Sequence, residues 1–238
     1  MSEYQQTSII VPCRNEAGSI ESLLSTILNH IDPRDEIIVV EGGSFDATWD
    51  VVSNFGRMHS QVRTQQQSGK GKFNAVMEGI KLSKKEYIMI WDADGTVSFS
   101  DNIKILQFQD SNPYLITGDR LKGEREREAM QFSNFIANWF FAYLWGLFLK
   151  RKPLDTLCGT KKFPSNLFED CPEWLISKDP YGDFSMLYLS KLRRLSVYSI
   201  PVDYSARKYG KTNIKRWSGG IQLLSLSLAM ILKSSKNE

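Results

Sequence analysis

The 238-residue chain has few of the residues that build disulfide frameworks and metal–thiolate sites. It contains three cysteines, Cys13, Cys158 and Cys171, and two histidines, His30 and His59. An odd number of widely spaced cysteines excludes a zinc ribbon and a disulfide scaffold, and favours buried free thiols in a reducing compartment. Neither histidine has a partner nearby in sequence, so no functional role is assigned to either.

An excess of one charge and a long apolar run are also missing. The net formal charge is only +3, which does not indicate a nucleic-acid partner. Residues 1–7 are polar and lead directly into an apolar strand, so we expect no signal peptide. One apolar run, residues 132–149, approaches the length of a bilayer span, but only at the lower limit.

The most informative stretch is residues 87–96, YIMIWDADGT, where an apolar run ends in Asp92 and Asp94. Five consecutive apolar residues predict a buried strand. Ligands of an open α/β sheet bind beyond the carboxyl ends of its strands, and two carboxylates there suit Mg²⁺ or Mn²⁺. The alternative is an ordinary Asp/Gly turn after a strand.

The first half of the chain predicts alternating strands and helices. Predicted strands at 8–12, 36–40, 61–66 and before Asp92 are separated by amphipathic helical segments, the pattern of a parallel sheet with crossover helices. Polar residues follow three of these strands, so their side chains should gather at one edge of the sheet.

A basic, glycine-rich loop at residues 68–72 opens one of the helices of this half. Its backbone N–H groups and lysines predict a phosphate site at the helix start. The alternative is an exposed flexible turn.

The second half predicts strands at 114–118, 157–163 and 196–204, and a C-terminal helix at about 220–233. The aromatic run 132–149 ends in three basic residues, which is typical of a helix at the membrane interface. A core helix is the alternative.

Four segments of the first half together resemble the family-2 glycosyltransferases, which have the GT-A fold. The matching segments are residues 10–16 (IVPCRNE), 41–48 (EGGSFDAT), 69–71 (GKG) and the DxD-like 92–94 (DAD). The resemblance implies an α/β, Rossmann-like GT-A domain with a mostly parallel sheet flanked by helices. It also implies one catalytic domain over 1–238, with a nucleotide-sugar-binding half at 1–97 and an acceptor-binding half at 98–238.

The second half is similar to the polyprenyl-phosphate sugar transferases, the branch that includes dolichyl-phosphate mannose synthase. The similar segments are residues 118–120 (GDR), 155–161 (DTLCGTK), 182–184 (GDF) and 207–213 (RKYGKTN). This similarity implies transfer of a hexose from a GDP- or UDP-linked sugar to a polyprenyl phosphate, with inversion at the anomeric carbon. It implies a cytoplasmic enzyme bound peripherally to the inner face of the membrane.

The resemblance also implies which residues hold the donor. Those expected to bind the nucleotide sugar are Pro12, Asn15, Glu16, Glu41, Asp46, Lys70, Lys72 and Asp92. Glu41 stands where many relatives have aspartate, and we expect the same contact with the base. Asp92 and Asp94 are expected to hold Mg²⁺ or Mn²⁺, which would act on the diphosphate as a Lewis acid. Gly95 supplies no third ligand.

The acceptor phosphate is expected to meet cations of the second half. The candidates are Arg120, Arg127, Arg207 and Lys211, since a guanidinium matches phosphate geometry bidentately. Arg120, Arg207 and Asp183 are the predicted catalytic residues. A phosphate nucleophile needs positioning more than a base, whereas a sugar hydroxyl would need Asp183 as general base. Asp183 also fits a helix N-cap.

Two other functions fit parts of the sequence. A family-2 enzyme that extends a saccharide in cell-surface polysaccharide synthesis would share the donor motifs. Residues 90–97 also resemble the first motif of haloacid-dehalogenase-type phosphatases, in which the first aspartate is a nucleophile. In that family the motif closes the first strand of the core, whereas three strand–helix units precede it here.

Overall fold

The structure is a computed structural model that describes residues 4–126, 129, 132–207 and 216–234, with the backbone alone at 132 and 216–219. Two of the predicted acceptor residues, Arg127 and Lys211, lie outside this part of the chain.

The described residues form one seven-stranded sheet in the order β3-β2-β1-β4-β6-β5-β7. Only β6 runs antiparallel to its neighbours, β4 and β5, while the other described pairs are parallel. The predicted mostly parallel α/β sheet is therefore confirmed. The strands are β1 (Thr7–Cys13), β2 (Glu36–Glu41), β3 (Val62–Gln66), β4 (Tyr87–Ile90), β5 (Tyr114–Asp119), β6 (Lys161–Pro164) and β7 (Ser196–Pro201).

Helices cover both faces of the sheet, and a short 3₁₀ helix, Ser165–Phe168, follows β6. Alternate residues of each strand point to opposite faces, so Ile9 packs with α1, α2 and α4 while Ile10 packs with α3, α5, α7 and α8. The helices are α1 (Ile20–Leu28), α2 (Thr48–Met58), α3 (Lys72–Leu82), α4 (Phe99–Gln107), α5 (Phe132–Phe148), α6 (Glu173–Lys178), α7 (Asp183–Leu192) and α8 (Arg216–Ser234).

The strand predicted at 157–163 begins later than expected. Residues 155–160 form a loop, because Asp155 accepts the N–H of Leu157 at 2.9 Å and holds the chain in a turn before β6 starts at Lys161. This loop lies beside Asp92, as described below.

The aromatic helix α5 has two different faces. Phe141 and Trp145 are buried, and their rings lie 5.2 and 5.1 Å from that of Phe184. The opposite face exposes a stripe of large side chains at helical spacing: Ile136, Phe140, Tyr143 and Leu147. Neighbouring α8 exposes Ile221, Leu228 and Leu232. The core interpretation thus holds for the buried face of α5, and a place at the membrane interface stays a prediction for the exposed face. None of the helices within the described ranges has the length and apolarity needed to cross a bilayer.

Candidate active site

The loops that follow β1 and β2 are joined into one wall. The backbone N–H of Asn15 donates to Ser44 Oγ at 2.8 Å, and the N–H of Phe45 donates back to Asn15 Oδ1 at 2.9 Å. Asn15 adopts a left-handed backbone with φ of 56°, a conformation that asparagine tolerates better than most residues. The two loops are therefore held together by the protein's own hydrogen bonds.

Two carboxylates predicted to meet the nucleotide also build this wall. Glu41 is buried at the end of β2 and accepts the N–H of Ser44 at 2.6 Å. Asp46 accepts the N–H groups of Ala17 and Thr48 at 3.3 and 3.1 Å. Hydrogen bonds from Thr48 and these backbone groups outweigh partial burial and lower the pKa of Asp46. Both carboxylates therefore fix the loops.

Glu16 lies between this wall and the DxD-like motif. It accepts the hydroxyl of Ser19 at 2.8 Å and is buried. Burial raises the pKa of Glu16, and Ser19 and Arg207 offset it only in part, while Asp94 adds to the rise. Pro12, the sixth residue of β1, pairs with Val40.

Phe45 is an exposed aromatic at the rim of the wall that the sequence reasoning did not single out. Its side chain is 90% exposed, and the guanidinium of Arg14 lies 5.5 Å from the ring centroid. A large aromatic in an otherwise small and polar loop was the available signal, since such residues are usually buried.

The two carboxylates of the DxD-like motif each hold a cation. Asp92 pairs with Lys72, the first residue of α3. Burial opposes ionisation of Asp92, but Lys72 outweighs it and keeps the pKa of Asp92 below its ordinary value. Asp94 pairs with Nη2 of Arg207 at 2.6 Å and accepts the N–H of Thr96 at 3.1 Å. The structure thus brings four of the predicted residues together at the end of β4.

This donor set fits a divalent cation. Asp92 and Asp94 are hard oxygen donors, and Mg²⁺ is commonly held by one or two carboxylates plus phosphate oxygens of the substrate. Within the described ranges, no three His, Cys, Asp or Glu side chains converge into a complete metal cage. A metal on Asp92 and Asp94 would take its other oxygens from water or the substrate, and it would compete with Lys72 and Arg207 for the two carboxylates.

Asp183 reaches the same site from α7. Its carboxylate pairs with Nζ of Lys161 at 2.5 Å, and Lys161 is fully buried. Burial raises the pKa of Asp183, and Lys161 and Lys72 offset that rise only in part.

The alternative role of Asp183 as helix cap is wrong, because Asp179 accepts the N–H groups of Gly182 and Ser185 at 2.9 and 2.8 Å.

Arg120 lies beside the site, where it is paired with a buried carboxylate. Its Nε and Nη2 bind the buried Asp155 at 2.6 and 3.0 Å, and its guanidinium lies 5.0 Å from the ring centroid of Tyr204. Asn138 of α5 donates to the same carboxylate at 2.8 Å. Arg120 outweighs burial and holds the pKa of Asp155 below its usual range. The pair anchors the loop of residues 155–160.

Gly159 of this loop lies directly against Asp92 and Lys72. A Cβ atom at this position would overlap the Asp92 carboxylate and the Lys72 ammonium group. The close approach therefore requires glycine, because any side chain would displace one of the two charges.

The basic loop before α3 is built differently from the predicted phosphate site. The N–H groups of Ser68 and Gly69 donate to Glu78 at 3.1 and 3.2 Å, so an anion of the protein already occupies them. The N–H groups of Ser68 and Gly69 are thus engaged by Glu78, and a phosphate contact at the start of α3 itself stays a prediction. Lys70 is exposed on the loop, and only Lys72 reaches the carboxylates.

The chain matches a known protein family in sequence and known structures in fold. The profile of the family described as "Glycosyl transferase family 2" matches residues 8–184. Poly-beta-1,6-N-acetyl-D-glucosamine synthase of Staphylococcus epidermidis is 32% identical over 123 residues, which is 50% of this chain and 30% of that protein. The chain therefore spans less than a third of this relative.

A second relative covers more of the chain. Dolichyl-phosphate beta-glucosyltransferase of Mus musculus is 25% identical over 236 residues, or 91% of this chain and 72% of that protein. Among solved structures, glucosyl-3-phosphoglycerate synthase from Mycobacterium tuberculosis, in complex with Mn²⁺, UDP-glucose and phosphoglyceric acid, superposes with a TM-score of 0.69 at 17% identity. That match covers 95% of this chain and 80% of the other, and the predicted GT-A-type fold is confirmed.

Proposed function

Because the chain belongs to the family-2 glycosyltransferases, as its motifs predict, we propose that it transfers a hexose from a nucleotide sugar to a polyprenyl phosphate. Membership of this family excludes the phosphatase interpretation of residues 90–97. The proposed donor is a GDP- or UDP-linked hexose. The dolichyl-phosphate glucosyltransferase relative, which covers 91% of the chain, supports a lipid-phosphate acceptor.

In the proposed reaction an oxygen of the acceptor phosphate attacks the anomeric carbon of the sugar. The bond from that carbon to the nucleoside diphosphate breaks, and the diphosphate leaves with the bonding electrons. A single displacement of this kind inverts the anomeric centre. The protein has to hold both phosphate groups, stabilise the leaving charge and exclude water.

The donor would lie against the joined loops after β1 and β2. Asn15, Glu41 and Asp46 fix this wall, and Glu16 lies beside it. The remaining oxygens of these side chains would accept hydrogen bonds from ribose or base. Lys72 would move its charge from Asp92 towards the diphosphate. Mg²⁺ or Mn²⁺ on Asp92 and Asp94 would supply Lewis-acid stabilisation of the leaving group.

One observation favours a phosphate acceptor over a saccharide. Asp183, the carboxylate predicted to act as a base, is held by the buried Lys161, while Arg207 and Lys72 lie at the same site. A site rich in cations suits an anionic nucleophile that needs no base. The alternative, extension of a saccharide, is favoured by the similarity of half the chain to poly-N-acetylglucosamine synthase, and it would require Asp183 as general base.

The two exposed apolar stripes support a membrane location. The stripe on α5 runs through Ile136, Phe140, Tyr143 and Leu147, beside the stripe on α8. Large exposed apolar surfaces mark interaction sites, and an amphipathic helix at the interface buries such a face among the lipids. We propose that this surface rests on the cytoplasmic face of a membrane, where a polyprenyl phosphate presents its headgroup.

A transfer assay tests the proposal. Purified protein is incubated with radiolabelled GDP- and UDP-hexoses, Mg²⁺ or Mn²⁺, and a short-chain polyprenyl phosphate in detergent, and the label is extracted into organic solvent. We expect lipid-soluble product with one nucleotide class, and Asp94→Ala should lower kcat/KM about 10³-fold.

The matched control is Asp50→Ala, which removes an exposed carboxylate from the first turn of α2 and should leave the rate unchanged. Label that passes only to saccharide acceptors would replace the lipid proposal with the saccharide alternative. Full activity of Asp94→Ala would contradict the metal assignment.

A further inference from the structure

A cationic cleft lies at the far ends of α5 and α7, away from the candidate active site. It is open, encloses about 500 Å³, and is lined by four cations and three aliphatic residues, with no acidic residue among the seven. The lining residues are Leu149, Arg151, Lys152, Lys191, Arg194, Leu195 and Val197.

The two helices end there in the same way. The N–H of Arg151 donates to Gly146 O and that of Leu195 to Ser190 O, each at 2.9 Å, which is the closing bond of a Schellman motif. One residue of each motif adopts the left-handed backbone conformation. It is Lys150 (φ 53°) after α5 and Arg194 (φ 56°) after α7, and neither is a glycine. Both helix ends thus carry a cation at a position that glycine would adopt with less strain.

The helix ends do not neutralise this charge. Each helix C-terminus contributes roughly half a negative charge, so about three of the four positive charges remain. Lys191 donates to Phe148 O at 2.8 Å, and Nη1 of Arg151 donates to Val197 O. Burial lowers the pKa of Arg151, whereas the negative charge of Asp119 acts to raise it.

Arg151 also has a polar atom that lacks a partner. Its Nε is buried and has no hydrogen-bond acceptor among the described residues. A buried N–H without an acceptor costs free energy, so a movement of the guanidinium that brought this N–H to an anion in the cleft would be favoured.

The apolar stripe of α5 leads directly to the cleft. Leu147 is 80% exposed and precedes the basic residues 150–152 by one turn of helix. A ligand that occupies both surfaces needs an anionic group and an apolar portion. Aliphatic walls beside cations at the end of an apolar stripe are the arrangement that anionic lipids bind.

We propose that this cleft binds the phosphate headgroup of an anionic membrane phospholipid and so fixes how the exposed apolar stripes of α5 and α8 lie on the bilayer. The site is distinct from the candidate active site and takes a structural lipid rather than the acceptor. The proposal rests on the membrane location included in the proposed function, but on neither the sugar nor the acceptor.

Vesicle sedimentation tests it. The protein is expressed as the full chain and is mixed with vesicles of phosphatidylcholine, either alone or with added phosphatidylglycerol. Each cation near an anionic surface contributes about 1 kcal/mol, so Lys152→Gln/Arg194→Gln should lower the partition coefficient on phosphatidylglycerol vesicles about 30-fold. Both side chains are exposed, so the variant should fold normally.

The matched control is Arg57→Gln/Lys84→Gln, which removes the same charge from exposed positions on α2 and before β4. It should keep wild-type binding. Equal loss in both variants would reduce the effect to net charge and overturn the proposal, as would wild-type binding by the cleft variant.

Glycerol phosphate separates a lipid headgroup from a free anion. If millimolar glycerol phosphate raises the Tm of the wild type but not of the cleft variant, and phosphatidylglycerol has no effect on sedimentation, the cleft binds a soluble anion and the lipid assignment is wrong. Transfer to detergent-dispersed polyprenyl phosphate should be unchanged in the cleft variant. Absence of any transfer by the wild type, with cleft-dependent vesicle binding intact, would contradict the proposed function alone.

Discussion

The part of the chain proposed to bind the donor (residues 1–97, the donor half) and the part proposed to bind the acceptor (residues 98–238, the acceptor half) hold several of their charges in different ways. In the donor half, Glu41 and Asp46 accept backbone N–H groups and hold exposed loops in shape. In the acceptor half, the charges are paired with each other inside the protein, as in Arg120–Asp155 and Lys161–Asp183. The donor loops should therefore tolerate loss of one contact, whereas the acceptor half should lose either stability or a defined protonation state.

The largest effect is expected from breaking the Arg120–Asp155 pair. Arg120→Met leaves a buried, uncompensated carboxylate, which should lower the free energy of unfolding by about 3–5 kcal/mol at neutral pH. Because the folded-state pKa of Asp155 is lowered, the pair stabilises fully above the unfolded value of about 3.9 and loses its effect as pH falls below it. Urea denaturation at several pH values should show the gap to wild type closing in acid.

Arg34→Met is the control, because Arg34 forms a comparable but exposed pair with Asp32 at 2.8 Å and should leave the urea midpoint nearly unchanged. Arg120→Met/Asp155→Leu should recover much of the lost stability. Equal midpoints for Arg120→Met and Arg34→Met would show that the acceptor half does not depend on buried pairing.

A smaller effect is expected at Lys161, whose charge lowers the pKa of Asp183 against burial. Without the cation the pKa of Asp183 should rise further. If Asp183 is the general base, as the saccharide alternative requires, Lys161→Met should move the acid limb of kcat/KM to higher pH by about one to three pH units, whereas with a phosphate acceptor the limb should stay in place. Lys161→Arg keeps the cation and should restore part of the profile, while exposed Lys178→Met should leave it as in wild type. An acid limb that stays in place would separate Asp183 from the reaction.

The smallest effect is expected in the donor half, at Phe45. Its exposed ring offers a stacking surface for a nucleobase, and such contacts are worth about 1–3 kcal/mol. Phe45→Ala should raise KM for the nucleotide sugar about tenfold with kcat nearly unchanged, because uniform binding is lost. Met58→Ala removes another exposed apolar side chain and serves as control. An unchanged KM would leave Phe45 without a role in donor binding.

The same contrast explains how far the sequence predicts the structure. Strand β4 and the DxD-like motif were predictable because an apolar run ends abruptly in Asp92 and Asp94. The joining of Asn15 to Ser44 depends on contacts across 29 residues, and no local pattern reveals it. The order of the motifs along the chain nevertheless predicts that both loops lie at one edge of the sheet, because the carboxyl ends of parallel strands meet there.

The acceptor half was harder because its site residues lie inside. In sequence, Lys161 is one of two adjacent lysines in a predicted strand. It begins an antiparallel strand, whereas ligand sites of α/β sheets are sought among the residues that follow a strand. Asp183 fits a helix cap in sequence, and only the hydrogen bonds from Gly182 and Ser185 show that Asp179 serves the start of this helix instead.

The central place of β6 has a consequence for how the chain folds during synthesis. Strands β3, β2, β1 and β4 can pair as soon as residue 90 has emerged, but the outer edge of β4 stays open until β6, Lys161–Pro164, is made and inserted. An open edge of this kind pairs readily with other chains. We therefore expect fragments that end before β6 to aggregate, and the closure of the two half-sheets by a late four-residue strand to be a slow, long-range step.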